Sequence, residues 1–146
     1  MYEHILVPTD GSEVADRAFE HALDLAETYD SELHVVYAVS VTPAADVDMA
    51  TVQRELENVG TETTESLGDR ARDAGVERVT TDVVNGRPHR AILEYVEDND
   101  IDLVVMGTRG RTGIDRYLLG SVTEKVVRLC DAPVLTVRGG REEDEA

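Results

Sequence analysis

Tryptophan is absent from the chain, and phenylalanine and cysteine occur once each. The lone Cys130 excludes an internal disulfide. It sits near the end of a predicted amphipathic helix, where it reads as a buried thiol rather than a nucleophile. Lysine also occurs once, at Lys125, so the remaining basic residues are arginine; Lys and Arg together number 14 against 31 Asp and Glu, for a net charge of -17. With no evident basic patch, duplex DNA and anionic membranes are excluded as natural partners. No segment approaches the roughly 18 consecutive apolar residues that a membrane span requires. Met1-Tyr2-Glu3-His4 runs into a strand without a basic leader, so a cytoplasmic location is expected.

The acidic excess is larger than the roughly 2–8 charges that keep a small domain soluble. It is spread along the chain rather than gathered in one tail. Self-repulsion of that size destabilises a compact fold, and molar salt screens it, with a Debye length of about 3 Å at 1 M. The composition therefore points to a protein adapted to high salt. The 146 residues, 41% of them apolar, suit one folded domain over residues 1–138, followed by an acidic flexible tail over 139–146.

Ile5-Leu6-Val7 is a short apolar run stopped by Pro8, and Thr9-Asp10-Gly11-Ser12 supplies turn and cap residues. Ala15, Ala18, Phe19, Ala22, Leu23 and Ala26 then recur at helical spacing, predicting a helix over about residues 12–29. Residues 33–39 form a second strand, and Pro43 lies in an aperiodic loop. A polar helix over about residues 51–74 carries Val52, Leu56, Val59, Leu67 and Ala71 as its apolar stripe and stops at Gly75. The spacing predicts a third strand over 76–84, a helix with Pro88 in its first turn, and a fourth strand over 101–106. Val122, Val126, Leu129 and Cys130 mark a last helix, and Pro133 opens a final edge strand. Strands and helices alternate, and the strands are apolar on both faces, which implies a parallel sheet covered by helices.

In open sheets of this kind the ligand crevice lies at the carboxyl ends of the strands, at a topological switch point. Pro8-Thr9-Asp10, residues 38–41 and residues 107–121 reach that edge. Asp10 is placed to accept hydrogen bonds from ribose hydroxyls or to hold a metal ion. Gly107, Gly110 and Gly120 open the backbone to anionic oxygens, and Ser121 either caps the last helix or contacts a phosphate. Arg109 and Arg111 offset phosphate charge or pair with surface carboxylates. A GxxxxGK[ST] loop is absent because Lys125 lies inside the last helix, and no GxGxxG follows the first strand. No general base is placed to align water. His4, His21 and His34 read as structural, while His89 is the one histidine with a candidate functional position.

The run Ile5-Leu6-Val7-Pro8-Thr9-Asp10-Gly11-Ser12, the later Val105-Met106-Gly107-Thr108-Arg109-Gly110, then Leu119-Gly120-Ser121-Val122 and Pro133-Val134-Leu135 resemble the universal stress protein family across nearly the full length. With the acidic excess, the resemblance points to a member from a halophilic archaeon. It implies a Rossmann-like three-layer α/β/α sandwich whose five parallel strands run in the order 3-2-1-4-5. The nucleotide-binding branch of that family carries G-x2-G-x9-G-[S/T], matched here by Gly107, Gly110, Gly120 and Ser121.

Carried over residue by residue, the resemblance puts Asp10 at the ribose, Pro8 and Thr9 beside the base pocket, and Val39 or Val41 against adenine. Gly107, Thr108, Arg109, Gly110 and Arg111, with Gly120, Ser121 and Val122, surround the phosphates, and Met106 belongs to the nucleotide-binding set. Mg2+ accompanies the triphosphate, with Ser121 a possible ligand. The resemblance also implies a homodimer through the last strand, Pro133, Val134, Leu135, Thr136 and Val137. The leading expectation is ATP binding by a nucleotide-dependent stress regulator with at most slow hydrolysis. An AMP or cyclic-AMP module and a nucleotide-independent interaction regulator with an unidentified protein partner are the alternatives.

Overall fold

The apolar runs of the sequence become strands that are covered on both faces. In the computed structural model, which describes residues 1–40, 48–108 and 120–139, the elements are β1 (His4–Thr9), α1 (Glu13–Tyr29), β2 (Glu32–Val39), α2 (Met49–Asp73), β3 (Val79–Asn85), α3 (Pro88–Asp98), β4 (Leu103–Gly107), α4 (Ser121–Leu129) and β5 (Val134–Val137). All pairings are parallel, and the five strands lie in the order β3-β2-β1-β4-β5. This is the α/β/α sandwich that the resemblance implies.

The double burial of the strands follows from their two-residue period. Ile5 and Val7 join Phe19, Val35, Leu67, Leu103 and Val105 in the core under α1 and α2. Leu6 points the other way, into a second core with Val36, Ile92, Tyr95, Val104, Met106 and Val126 beneath α3 and α4. Each fully buried Val, Leu or Ile contributes roughly 1.5–3 kcal/mol by leaving water, so a continuous apolar strand is favoured only where both faces are covered.

Two strands begin later than the sequence predicts, for one shared reason. Gly75 holds φ +107° and Asp100 φ +52°, both in the left-handed region that ends a helix. The next residue then bonds back to the helix: Val76 N–H donates to Ala71 at 3.0 Å, and Ile101 N–H to Val96 at 3.0 Å. Val76 and Ile101 are buried, but as the apolar staples of helix ends rather than as strand residues. The sheet takes over only at Val79 and Leu103.

The expected stripe of α2 is also corrected. Val59 is 45% exposed, and the buried face is Gly60, Thr64, Leu67, Gly68 and Ala71. The small residues let α2 lie close on β2 and β3. A Cβ at Gly60 would stand 2.8 Å from Tyr37 Cδ1, inside contact distance of a buried ring. Gly60→Leu is expected to destabilise the fold by about 1–3 kcal/mol through overpacking, despite the better helix propensity of leucine. Urea unfolding at fixed salt checks this, with the exposed Asn58→Leu as the matched control.

At the amino edge of the sheet His34 is buried, with Nδ1 2.8 Å from the Tyr95 hydroxyl. Burial pushes its pKa down; Glu32 opposes that shift and His4 adds to it. Burial, with Asp82 and Glu32 nearby, pushes the Tyr95 phenol up to about 12. The half-buried Cys130 ends α4, and burial raises its pKa, as suits an unreactive thiol.

Candidate functional site

Pro8 does not end the first strand, as its residue type suggests; β1 continues to Thr9. Its effect falls on one neighbour only. Pairing of β1 with β2 runs from His4 to Thr9, whereas pairing with β4 is confined to Ile5↔Leu103 and Leu6↔Val104. Proline has no N–H to donate, so the central strand can carry it only where one ladder has already ended. β1 and β4 therefore part at their carboxyl ends. The chain also changes faces here: α1 and α2 cover one side, α3 and α4 the other. This is the switch-point crevice of an open parallel sheet.

The β1 side of the crevice is shaped by its own side chains. The Thr9 hydroxyl accepts the Gly11 N–H at 3.1 Å, and Asp10 Oδ1 accepts the Ser12 N–H at 2.9 Å. Gly11, at φ +82°, makes the reversal that an L side chain would strain. Ser12 then caps α1 by accepting the Ala15 N–H at 3.2 Å. An open depression of about 440 Å³ at this turn is lined by Gly11, Ser12, Glu13, Asp16 and Arg17. Arg17 Nε itself donates to the Arg138 carbonyl at 3.1 Å.

The β4 side is built from Gly107, Thr108 and the start of α4. Thr108 N–H donates to Val137 at 2.9 Å, and Gly120 N–H donates to the Thr108 carbonyl at 2.6 Å, so the residues flanking 109–119 are held together. The buried Thr123 hydroxyl donates to the Gly107 carbonyl at 2.7 Å and anchors the first turn of α4 to the end of β4. Gly120, not Ser121, is the N-cap, and among the described residues no side chain caps the helix. Ser121 is thus the exposed first residue of α4, with its hydroxyl not used as a cap. Backbone N–H groups at an uncapped helix start attract anions, aided by the helix dipole.

The remaining expected residues divide clearly. Val39 ends β2 and is buried, with its carbonyl accepting the Gly86 N–H at 3.0 Å. Met106 is buried in the core under α3 and α4, so its side chain serves packing. Val122 is partly buried against the same core. Val41, Arg109, Gly110 and Arg111 lie outside the described residues, as do residues 140–146 of the acidic tail. Thr9, Asp10, Gly107, Gly120 and Ser121 are brought to the ends of the neighbouring strands β1 and β4.

Two features were missed by sequence reasoning. One is the Thr123 anchor, whose only sequence signal is a hydroxyl in the first turn after Gly120-Ser121. The other is electrostatic. His89, in the first turn of α3, has its pKa lowered by lost hydration and by Lys125, Arg90, Arg87 and Arg128. Four of the chain's 14 basic residues thus act electrostatically on one histidine, from α3 and its N-cap and from α4, which packs against α3. Their positions, far apart in sequence, hid this cluster. Arg128 is also paired with Glu124 at 2.8 Å. Among the described residues no helix is long and apolar enough to cross a membrane.

Comparison with known proteins agrees with this geometry. Universal stress protein MJ0531 of Methanocaldococcus jannaschii is 36% identical over 147 residues, covering 98% of this chain and 86% of that protein. The universal stress protein UspA from Lactobacillus plantarum superposes with a TM-score of 0.84 at 26% identity, covering 94% of this chain and 98% of that one. A universal stress protein solved in complex with cAMP gives a TM-score of 0.76 at 29% identity, covering 95% and 99% of the two chains. The profile of the universal stress protein family matches residues 1–138. With the fold, the crevice and these likenesses in agreement, the chain belongs to the universal stress protein family.

Proposed function

We propose that the chain binds an adenine nucleotide, ATP before its analogues, and acts as a nucleotide-dependent regulator of a stress response in the cytoplasm. The observation that carries this reading is the uncapped start of α4 beside the split between β1 and β4. Gly107, Gly120 and Ser121 stand on the phosphate side of the split, and Pro8, Thr9, Asp10 and Val39 on the nucleoside side. The sequence spacing Gly107, Gly110, Gly120-Ser121 matches the motif of the nucleotide-binding branch. Cations at Arg87, Arg90 and Lys125 supply attraction for a polyanion that the rest of so acidic a chain would repel. Mg2+ would come with the triphosphate, and the exposed Ser121 hydroxyl is the side chain assigned to it. No carboxylate or histidine is assigned to activate water, so turnover is slow at most.

The same elements support dimerisation through β5. It is an edge strand, and Leu135, Val127 and Leu129 on β5 and α4 are 40%, 44% and 50% exposed. Such an edge is normally covered, and a second copy through Pro133 to Val137 would cover it. Sedimentation equilibrium decides the point, since a monomer mass at working concentration removes the dimer.

Calorimetry tests the ligand. Titrations with ATP, ADP, AMP and cyclic AMP are run in about 2–3 M KCl, where the Debye length is near or below about 3 Å, with and without Mg2+. ATP is expected to bind most tightly and to be weakened when Mg2+ is withdrawn. The cAMP complex of a relative at 29% identity favours a second reading, an AMP or cyclic-AMP module. Tighter binding of those monophosphates, unaffected by Mg2+, would select it. If folded protein binds none of the four, the regulator works through protein contacts alone.

A further inference from the structure

The amino edge of the sheet, opposite the crevice, holds a group of side chains that nucleotide binding leaves unused. In the parallel register His4 of β1 stands beside Glu32 of β2, and Leu6 beside His34. Residues 32 and 34 share one face by the two-residue period of a strand, and His4 shares it through the register. His4, Glu32 and His34 thus converge, each offering one donor atom, with all three atoms within 4.8 Å of one another. His34 Nε2 lies 2.9 Å from Glu32 Oε2, and His4 Nδ1 lies 4.0 Å from Glu32 Oε1. The two rings are 5.7 Å apart at 58°, so they meet at an angle and do not stack.

Buried imidazole nitrogens ordinarily find hydrogen-bond partners. Among the described residues, the buried side-chain nitrogens and oxygens without one are His4 Nδ1 and His34 Nε2. Nε2 approaches the carboxylate at 2.9 Å as an ion-pair contact without making a hydrogen bond to it. Both nitrogens flank the same carboxylate. We propose that His4, Glu32 and His34 form a binding site for a divalent transition-metal ion, Zn2+ first, that clips β1 to β2.

The surroundings have the form that metal ligands require. A ligating histidine usually has its second ring nitrogen hydrogen-bonded, which fixes the ring. His34 meets this condition through Tyr95 Oη, 2.8 Å from Nδ1; with the ion on Nε2, Nδ1–H donates to the phenol oxygen. Glu32 Oε2 is held by the Thr80 hydroxyl at 3.1 Å. Asp102 fixes the start of β1 by accepting the backbone N–H groups of Glu3 at 2.8 Å and His4 at 3.1 Å. Tetrahedral bonds of about 2.0–2.1 Å place ligand atoms roughly 3.3 Å apart. His34 and Glu32 are already that close. The His4 side chain is 30% exposed and can turn to close its longer gap. Two imidazoles and one carboxylate suit Zn2+, Co2+ or Ni2+ better than Mg2+ or Ca2+, which prefer oxygen ligands. Three protein ligands leave a fourth position to solvent.

The test uses the whole chain, stripped with chelator and returned to molar potassium salt. Zn2+ is titrated by calorimetry and Co2+ by visible absorption, both with Mg2+ in large excess to occupy sites made of carboxylates alone. One equivalent of Zn2+ is expected, with a four-coordinate Co2+ spectrum and a rise in thermal midpoint on loading. His4→Gln, at the partly exposed position, and Glu32→Gln should each remove the tight site. Tyr95→Phe, which loses only a positioning partner, should weaken it about 10- to 100-fold. His21→Gln on the exposed face of α1 should leave it intact. Circular dichroism of each variant shows that its fold survives. No tight equivalent above the Mg2+ background overturns the site, and so does binding that persists undiminished in both His4→Gln and Glu32→Gln. Nucleotide titrations read the other edge of the sheet, so failure here is distinguishable from failure of the nucleotide reading.

Discussion

Phe19→Ala is expected to cost about 3–5 kcal/mol of folding free energy, the range for truncating a buried aromatic side chain. Phe19 is the only phenylalanine of the chain and is fully buried, with Ile5, Val7, Val35, Leu103 and Val105 in the same core. One face of its ring also meets Arg70 of α2, whose guanidinium carbon lies 5.0 Å from the ring centroid. Arg70 in turn binds Asp16 of α1 at 2.6 Å and also contacts Glu20. These ion pairs are exposed enough to contribute little by themselves, about 0–1 kcal/mol each. The large effect therefore lies with the ring, which joins α1 to the sheet and supports the α2 arginine. A single domain has about 5–15 kcal/mol in total, so the loss is a large share of the stability. For a chain of this size the loss corresponds to a fall in melting temperature of roughly 6–20 °C. Urea unfolding in molar KCl is the measurement, with Phe19→Leu expected to lose far less because most of the volume stays. A loss below about 1 kcal/mol in Phe19→Ala would mean that the core closes over the gap.

Phe19 was legible in the sequence because it sits in a run of small apolar residues at helical spacing. The order of elements was legible on the same grounds, since Ile5-Leu6-Val7 and residues 103–106 are apolar at every position and must be covered twice. Other features answer to geometry that a linear reading lacks. Val76 and Ile101 are as apolar as strand residues, yet a left-handed residue before each sends it back onto its helix. The contact face of α2 is marked by glycine and threonine, which score as polar or neutral; its logic is close approach to Tyr37 and Thr81. Pro8 was legible as a break but not as a break in one ladder only. The Thr123 anchor, the cations around His89, and the meeting of His4 with Glu32 and His34 depend on register and helix docking. Residues distant in sequence carry no local sign of such meetings. At the crevice, Asp10, Gly107, Gly120 and Ser121 were legible because turn and cap residue types after a buried strand restrict where the backbone can go.

Asp10→Ala is expected to weaken ATP binding by about 10- to 100-fold. The estimate follows from a hydrogen bond to a charged carboxylate, worth about 1.5–3 kcal/mol when its partner is removed. Asp10 stands at the carboxyl end of β1, where that strand has left β4, and Oδ1 accepts the Ser12 N–H. Two effects oppose the loss or imitate it. Removing a negative charge eases the approach of phosphates, but at about 1 M salt the Debye length is roughly 3 Å and the gain is small. Removing the Ser12 bond loosens the turn, at a cost near 1 kcal/mol that urea unfolding reads separately. Asp10→Asn keeps an acceptor for that N–H and separates the turn from the charge. The ribose contact itself is isolated by titrating ATP against its 2′-deoxy and 3′-deoxy analogues. The native protein should discriminate against at least one of them, and Asp10→Ala should bind that analogue and ATP alike. If the variant is weakened while the discrimination persists, Asp10 acts only through the turn. If folded Asp10→Ala binds ATP as tightly as the native chain, the ribose does not lie at the end of β1.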